Sequence, residues 1–188
     1  ATHNPSRARH KISEIYDRIA FAAVGKYHEF EALRVAGIRY ADLRGYAYDR
    51  ADVSVHGLAN SYAQTLGSIF TADTKPYEVE LVVVEVGATQ AADQLYRLSF
   101  DGTLVEEHEH VVIGGEADSR HDIVAKQWRR DMPLAQALKL ALAALEHRED
   151  GETTTIDPSQ LEVAILERGA SRRAFRRLAG EAVLGAGE

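Results

Sequence analysis

Apolar residues near the start of the chain fall in two short runs, at 12–16 and 19–24, with the polar pair Asp17 and Arg18 between them. Runs of this length around a polar break are typical of two antiparallel strands joined by a turn. Because the second run is apolar throughout, we expect its strand to be buried. The pattern therefore predicts a hairpin that ends at Gly25.

The next segment changes to helical spacing. Phe30, Leu33 and Arg34 follow each other at three and four residues, and Gly37 stands where a helix would stop. We expect this first helix to end there, because glycine is the common residue just past a helix C-terminus. Two aromatic turns are expected over 44–50.

Ser54 suits the N-cap of a second helix, whose apolar positions continue to about Phe70. The polar loop 71–76 closes this helix and ends in proline. Residues 77–86 begin with alternating polarity and become almost wholly apolar, which indicates a strand buried on both faces for much of its length.

The segment 94–113 predicts a strand meander with a turn at Asp101 and Gly102 and further strands around Val105 and over 111–113. Two helices follow, one containing 123–130 and one opened by Pro133. The second carries a leucine stripe that we expect to pack in the core, made of Leu134, Leu138, Leu142 and Leu145.

The chain closes with an acidic, threonine-rich loop at 149–157, strands at 161–166 and 174–178, and a frayed tail over 179–188. Helices occur in pairs and do not alternate with single strands, which argues against a doubly wound parallel sheet. The order predicts a single α+β domain over 1–188, with antiparallel sheets and helices packed on their outer faces.

Composition narrows the function classes. The 188 residues are 45% apolar and 27% charged, with a net charge of −7, which argues against a general nucleic-acid binder. The chain has no cysteine, so it has no disulfide, thiolate metal site or thiol nucleophile. No apolar run has the length that a membrane span needs. We expect a cytoplasmic protein without a cofactor.

Several segments together resemble the α subunits of actinobacterial 20S proteasomes, in the same order and over nearly the whole chain. In this sequence they are Asn-Pro-Ser at 4–6, the run 11–26, Arg-Gly-Tyr-Ala-Tyr-Asp-Arg at 44–50, the run 58–67, Lys-Pro-Tyr-Glu-Val-Glu at 75–80, and Arg-Arg-Ala-Phe-Arg-Arg at 172–177.

The resemblance implies a four-layer αββα sandwich of the Ntn-hydrolase type, with two antiparallel sheets between helix pairs. It also implies a non-catalytic subunit of a heptameric α ring, which forms the antechamber and axial gate of a threonine-type endopeptidase complex. The implied partners are other α subunits, proteasome β subunits, a ring-shaped AAA ATPase or other activator that docks by its C-terminal tails, and unfolded protein substrates.

The same resemblance suggests two sites. Lys11 and Gly25 correspond to a pocket between ring neighbours, where a lysine pairs with the carboxylate of an activator tail. A second site lines the axial pore, and its residues are Thr71, Ala72, Asp73, Thr74, Lys75 and Pro76. Without the resemblance, Lys11 would be an ordinary surface lysine, Gly25 a strand-to-helix turn, and the loop a plain connection.

Family α subunits carry a gating segment, a helix and a strand hairpin ahead of the Asn-Pro-Ser turn, and this sequence does not include them: either it is a fragment or an ordered remainder, or ring assembly fails. We expect their absence to leave one sheet with unpaired edges and an uncovered apolar face. A standalone binding module of the same fold is therefore an alternative to the ring subunit.

A threonine-type peptidase is the enzymatic alternative, since Lys11 and Gly25 also match the spacing of a catalytic lysine and an oxyanion glycine in β subunits. The nucleophile would need a free amine, which neither Thr2 nor the run 153–155 offers in a suitable position. The turn at 114–116 reads Gly-Gly-Glu and lacks the serine found in β subunits. We expect no catalytic residue in this chain.

Two clusters remain. Glu106, His108 and His110 would share one face of a strand, which permits metal binding, although a solvated strand edge is the commoner case and we expect no metal. The basic run Arg172, Arg173, Arg176 and Arg177 would be divided between two faces of a strand, so we interpret it as solvated or as intersubunit salt links.

Overall fold

A computed structural model describes residues 10–72, 75–180 and 182 of the chain. Its strands are β1 (Ile12–Tyr16), β2 (Ile19–Gly25), β3 (Val79–Glu85), β4 (Gln94–Leu98), β5 (Leu104–Glu107), β6 (Val163–Leu166) and β7 (Phe175–Leu178). Its α-helices are α1 (Tyr27–Ala47), α2 (Val55–Thr71), α3 (Ala117–Gln127) and α4 (Leu134–Glu146). The predicted α+β class with antiparallel sheets is confirmed.

Strands β1 to β5 form one antiparallel sheet in sequence order, and β6 pairs with β7 in a second, two-stranded sheet. Helices α1 and α2 cover one face of the large sheet. Side chains alternate between the faces of a strand, so Ile19, Phe21 and Ala23 of β2 point into this helical layer, where each is at least 98% buried.

The other face of the large sheet meets the β6–β7 sheet. Ala20 and Ala22 of β2 line a narrow space of about 220 Å³ together with Ile165 and Phe175. Helices α3 and α4 lie on this side as well and pack chiefly on one another. The order of layers is thus helix pair, large sheet, small sheet, helix pair, which agrees with the predicted sandwich.

Helix α2 begins as the sequence predicts. The Ser54 hydroxyl accepts a hydrogen bond from the Gly57 amide at 3.1 Å and caps the helix N-terminus. The Glu85 carboxylate accepts the neighbouring Val55 amide at 3.2 Å, and burial raises the pKa of this carboxyl. The cap therefore joins α2 to strand β3 beneath it.

The predicted end of α1 at Gly37 is wrong, because the helix continues to Ala47 and includes the first half of the expected aromatic turns. An added Cβ at Gly37 would lie 1.9 Å from the Tyr62 hydroxyl oxygen. That hydroxyl donates to the Leu33 carbonyl at 2.7 Å. Glycine is present here because α1 and α2 approach closely, and it does not mark a terminus.

Two expectations for the second half are also corrected. Residues 111–113 form no strand in the structure. The leucine stripe is only partly buried: Leu134 and Leu145 are 48% and 45% exposed, and the buried residues of α4 are Leu140 and Ala144. Helix α4 therefore turns a different line of residues inward from the one predicted.

An apolar groove of about 380 Å³ lies between the α3–α4 pair and the segment 110–113. A neighbouring cavity of about 850 Å³ separates the same region from strands β1, β2 and β6, and both spaces are lined by Ile113 and Leu145. Both spaces are thus lined in part by apolar side chains of the second half of the chain. Of the expected tail 179–188, most residues lie outside the part that the structure describes.

Candidate functional site

Lys11 and Gly25 lie at the same end of the β1–β2 hairpin. The backbone oxygen of Lys11 accepts a hydrogen bond from the Ala23 amide at 3.0 Å, and Gly25 is the last residue of β2, two positions further along. Strand pairing thus brings the two predicted site residues together at one end of the strands of the large sheet. The turn from β2 into α1 begins at the same end of the strands.

One carboxylate fixes the main chain at Lys11. Glu162 accepts the backbone amides of Lys11 at 2.9 Å and Ile12 at 3.0 Å, and it also pairs with Arg177 at 2.8 Å. The Lys11 side chain is exposed, and its ammonium has no ion-pair partner in the part of the chain that the structure describes. The backbone is therefore anchored while the ammonium stays available to a carboxylate from outside.

The 850 Å³ cavity opens beside this lysine. Its wall includes Lys11, Val24, Ile113, Glu162 and Arg177. Apolar side chains with a few charged groups at the rim are common in sites that take up a peptide end. The space is large enough for several side chains of such a segment.

Gly25 is required by its surroundings. Its φ is 118°, which lies outside the range that L-residues adopt readily, and an added Cβ would lie 1.9 Å from the Glu78 carbonyl oxygen. The same oxygen accepts the Lys26 amide at 3.1 Å. The turn between β2 and α1 is therefore in direct contact with the start of β3.

A buried carboxylate completes this contact. Glu29, in the first turn of α1, is 5% exposed, and its Oε1 accepts the Glu78 amide at 2.7 Å. An acidic residue at this helix position commonly reaches back to its own N-cap amide. Here the Lys26 amide donates to the Glu78 carbonyl, just before β3, and Glu29 accepts the Glu78 amide instead.

The predicted pore loop leads into this junction. Thr71 is the last residue of α2, and Lys75 places its ammonium 3.1 Å from the Glu78 carboxylate, which also pairs with Lys26 at 3.2 Å. Hydrogen bonds from Lys75 and Lys26 hold the pKa of the Glu78 carboxyl below its usual value. Asp73 and Thr74 lie outside the described residues.

The histidine cluster is not arranged as predicted. Strand β5 ends at Glu107, so His108 and His110 lie beyond it, and Glu109 between them has a φ of 75°. The His110 ring packs against the His121 ring, with centroids 5.0 Å apart. Among the described residues no group of three or more potential metal ligands comes together.

The basic run forms ion pairs within the chain. Arg173 binds Glu14 at 2.8 Å, Arg176 binds Glu167 at 3.6 Å, and Arg177 binds Glu162. These contacts tie the β6–β7 hairpin to β1 and to its own turn. The intersubunit salt links that we considered from the sequence are not needed to explain these three arginines.

The threonines at 153–155 lie in a loop folded against the end of α4. Thr153 forms a bridge with His147, and the Thr154 amide donates to the Glu146 carbonyl at 2.8 Å. Their backbone nitrogens are peptide amides inside the chain. Thr2 lies outside the residues that the structure describes. Glu116 follows the two glycines with a φ of 56° and precedes α3.

The pattern that defines the family described as "Proteasome: Proteasome subunit" matches residues 3–166, which is most of the chain. This chain belongs to the proteasome subunit family. The resemblance drawn from the sequence segments is thereby confirmed, and the fold agrees with it. None of the described helices is long and apolar enough to cross a membrane.

Relatives within the family are similar over almost the whole chain. A protein of Xylanimonas cellulosilytica named "Proteasome subunit alpha" is 60% identical over 97% of this chain and 78% of its own length. Proteins with the same name in Sanguibacter keddieii and Kineococcus radiotolerans are 60% and 56% identical, over 96% and 98% of this chain and 71% and 80% of their own lengths.

Sequence reasoning missed Glu29 and Glu162, the two carboxylates that hold the site's backbone. The only local signal for Glu29 was an acidic residue in the first helical turn, which normally indicates capping. Glu162 gave no signal, because it is separated from Lys11 by 151 residues and acts through its position beside β1.

Proposed function

We propose that this chain is a non-catalytic α-ring subunit of a 20S proteasome core. In this role it forms part of the antechamber and axial gate, binds activator tails, and admits unfolded protein to β subunits for hydrolysis. Membership of the proteasome subunit family and similarity to relatives named as α subunits support this proposal. The lack of cysteine suits work in the reducing cytoplasm.

One observation carries the activator-binding part. The main chain at Lys11 is fixed by Glu162, while the exposed residue lines a cavity with apolar and charged walls. A fixed backbone limits the entropy lost when the side chain binds a partner. Among the described residues no ion-pair partner reaches the Lys11 ammonium, which favours a ligand with a terminal carboxylate.

The gating part rests on the loop 71–76. Its described residues are Thr71, Ala72, Lys75 and Pro76. They connect α2 to β3 at the same end of the large sheet's strands as Lys11 and Gly25. We place this loop at the axial opening of the ring. Lys75 would then contribute one positive charge per subunit near the pore.

Assembly is tested first by native mass spectrometry of the chain, alone and mixed with an actinobacterial proteasome β subunit. A seven-fold ring, or a larger particle that cleaves a fluorogenic peptide only when both subunits are present, is the expected result. A persistent monomer would contradict the ring role and favour a standalone module. Cleavage by the chain alone would contradict the non-catalytic role.

Activator binding is tested on the assembled particle with a labelled peptide that copies the C-terminal residues of an activator ATPase. Its free carboxylate form should bind more tightly than the amidated form by about 1.5 kcal/mol or more, roughly tenfold in Kd. Lys11→Ala should remove most of this difference. Lys126→Ala, which changes an exposed lysine on α3, is the matched control and should preserve it.

Equal binding of the two peptide forms to the unchanged particle would contradict the carboxylate site. Loss of the difference in both lysine variants would show a general charge effect in place of a specific pocket. Either outcome would leave the assembly test unaffected, because that test does not involve Lys11.

A further inference from the structure

The ring of His110 joins the segment 110–113 to helix α3. Its imidazole lies 5.0 Å from the His121 ring of α3 and 6.0 Å from the ring of Trp128, which directly follows α3, measured between centroids. The His110 amide donates to the His108 carbonyl at 2.8 Å, which fixes the backbone from which the ring extends. We call the packing of these three rings the ring contact.

Two rings of this contact, His110 and Trp128, also line the apolar groove between the α3–α4 pair and 110–113. The groove holds about 380 Å³, and its other walls include Val112 and Val124. Among the described residues no backbone–backbone hydrogen bond joins 111–113 to α3 or α4. The segment is therefore held against the helices mainly by side-chain packing, in which the ring contact takes part.

The charged form of His110 does not suit this packing. Its Nδ1 is buried and has no hydrogen-bond partner among the described residues. In the protonated ring both nitrogens carry hydrogen, so Nδ1 would become a buried donor without an acceptor. Because an unpaired buried donor is unfavourable, the packed arrangement requires the neutral ring.

The charged groups around the ring act in both directions. His121 faces it from α3, and two carboxylates, Glu107 and Glu109, come shortly before it in the chain. Each carboxylate already has a cation. Glu107 pairs with Arg97 at 3.0 Å, and Glu109 lies 3.9 Å from Arg130. They can therefore offset only part of a positive charge on the imidazole.

The balance of these effects favours the neutral imidazole. Burial, followed by the charge of His121, lowers the pKa of His110 below its ordinary value of 6.5. Arg120 also lines the groove from α3 and is paired with the Glu116 carboxylate at 3.3 Å, while the α4 residues along the groove are uncharged. The stabilisation from the packed ring is therefore complete above about pH 6.5 and is lost as the pH falls through the lowered pKa.

We propose that His110 is a pH-sensitive switch, which holds 110–113 against α3 when its ring is neutral and releases the segment when the ring is protonated. Release exposes apolar groove walls such as Val112 and Val124 to solvent. Histidine suits this role because its charge changes near neutral pH. The inference does not require ring assembly or activator binding, so its test is independent of those for the proposed function.

Trp128 is the only tryptophan in the sequence, so its fluorescence reports directly on the ring contact. The experiment follows the full chain from about pH 8 to about pH 5 by binding of the dye 1-anilinonaphthalene-8-sulfonate, which detects exposed apolar surface. Far-UV circular dichroism shows whether the helices stay folded. The unchanged chain is compared with His110→Phe, His121→Phe and His108→Gln.

We expect the dye signal of the unchanged chain to rise about threefold or more between roughly pH 7.5 and 5.5, without a change in circular dichroism. His110→Phe keeps a ring that cannot be protonated, so it should show a change of less than about 1.3-fold. His121→Phe should keep the rise and move its midpoint to higher pH, because a charge that opposes protonation is removed. His108→Gln changes a nearby exposed histidine outside the ring contact, so it is the matched control and should behave like the unchanged chain.

A constant dye signal in the unchanged chain would overturn the inference. An equal rise in His110→Phe would do the same, because the response would then come from another group. Loss of helical signal over the same pH range would also count against it, since the dye would be reporting general unfolding.

Acrylamide quenching of Trp128 supplies a measurement that needs no variant. Release of 110–113 should raise the quenching constant about twofold between roughly pH 7.5 and 5.5, because the indole loses the ring packed against it. A fall in Trp128 emission with an unchanged quenching constant would contradict the switch. It would show that the protonated imidazole quenches the indole by contact while the segment stays in place.

Discussion

The two halves of the sandwich differ in how completely they bury their apolar surface. Strands β1 to β4 and helices α1 and α2 enclose a continuous core, in which Ile19, Phe21, Leu58, Leu66, Leu81, Val83 and Leu98 are at most 1% exposed. On the other side, α3 has no buried residue and α4 has two. The difference follows from what each helix pair has to pack against.

Helices α1 and α2 rest on a five-stranded sheet that presents a full apolar face. Helices α3 and α4 pack chiefly on one another, and the second sheet has only two strands, each four residues long. An amphipathic helix buries only as much surface as its neighbour supplies. Helix α4 has five leucines but only two buried residues, whereas α2 has two leucines and five buried residues, so leucine content alone does not decide how deeply a helix is buried.

The largest expected effect tests this contrast with one phenylalanine from each sheet. Phe21→Ala in β2 should lower the free energy of unfolding by about 3–5 kcal/mol, because it leaves a cavity in a closed core. Phe175→Ala in β7 should cost about 1–2 kcal/mol, since that ring is only partly buried. Urea unfolding followed by circular dichroism measures both, and equal losses would contradict the contrast.

A smaller effect is expected at two glycines with positive φ. Gly25→Ala should destabilise the chain by about 2–3 kcal/mol, because the new Cβ overlaps the Glu78 carbonyl and the backbone must shift. Gly169→Ala, at a φ of 81° with no atom within 4 Å of its Cβ, should cost about 1 kcal/mol from backbone strain alone. Thermal unfolding of the two variants measures this difference. Similar shifts in melting temperature would show that the backbone removes the overlap at Gly25 with little loss of stability.

The smallest effect concerns Asp17, between β1 and β2. A hydrogen bond from Arg50 holds the pKa of this carboxyl below its ordinary value of 3.8, so the folded state favours the ionised form. Its stabilising contribution is complete above about pH 3.8 and is lost as the pH falls through the folded pKa.

Asp17→Asn should therefore lower the urea midpoint by a constant amount between pH 7 and 5, and the gap should narrow below pH 4. The measurement is a series of urea unfolding curves across that range. A gap that stays constant to pH 2 would show that the Arg50 contact does not favour the ionised carboxyl.

Much of the half formed by β1 to β4, α1 and α2 could be predicted from the sequence, because its elements follow local rules. The Ser54 cap and the β1–β2 hairpin lie where hydroxyl chemistry and apolar runs place them. The length of α1 could not be predicted, since Gly37 and Gly45 would end a helix on local grounds. Each faces a tyrosine hydroxyl, from Tyr62 and Tyr16, at a distance that only glycine permits.

The half that contains α3 and α4 was harder to predict, because the structure of its segments depends on neighbours that lie far away in the sequence. The apolar run 111–113 has strand character but no strand beside it among the described residues. The leucine stripe on α4 has helical spacing, but the spacing does not show how much of the stripe neighbouring elements will cover. Burial of Leu134 and Leu145 was therefore wrongly expected.

For the candidate site, the sequence indicated Lys11 and Gly25 and left out the groups that hold them. The roles of both residues, and of the loop 71–76, stay predictions. Glu29 and Glu162 act across 49 and 151 residues. No local pattern encodes which amide a distant carboxylate will meet, so these contacts become visible only when the sheets are assembled.

The Glu162 contact also has a consequence for the order of folding. Strand β1 is synthesised early, yet the carboxylate that binds the Lys11 and Ile12 amides follows about 150 residues later. At roughly 5–20 residues per second, translation alone delays this contact by about 8–30 s. Until the segment that carries Glu162 is made, water is the available acceptor for these two amides, so the native anchoring of β1 is completed late.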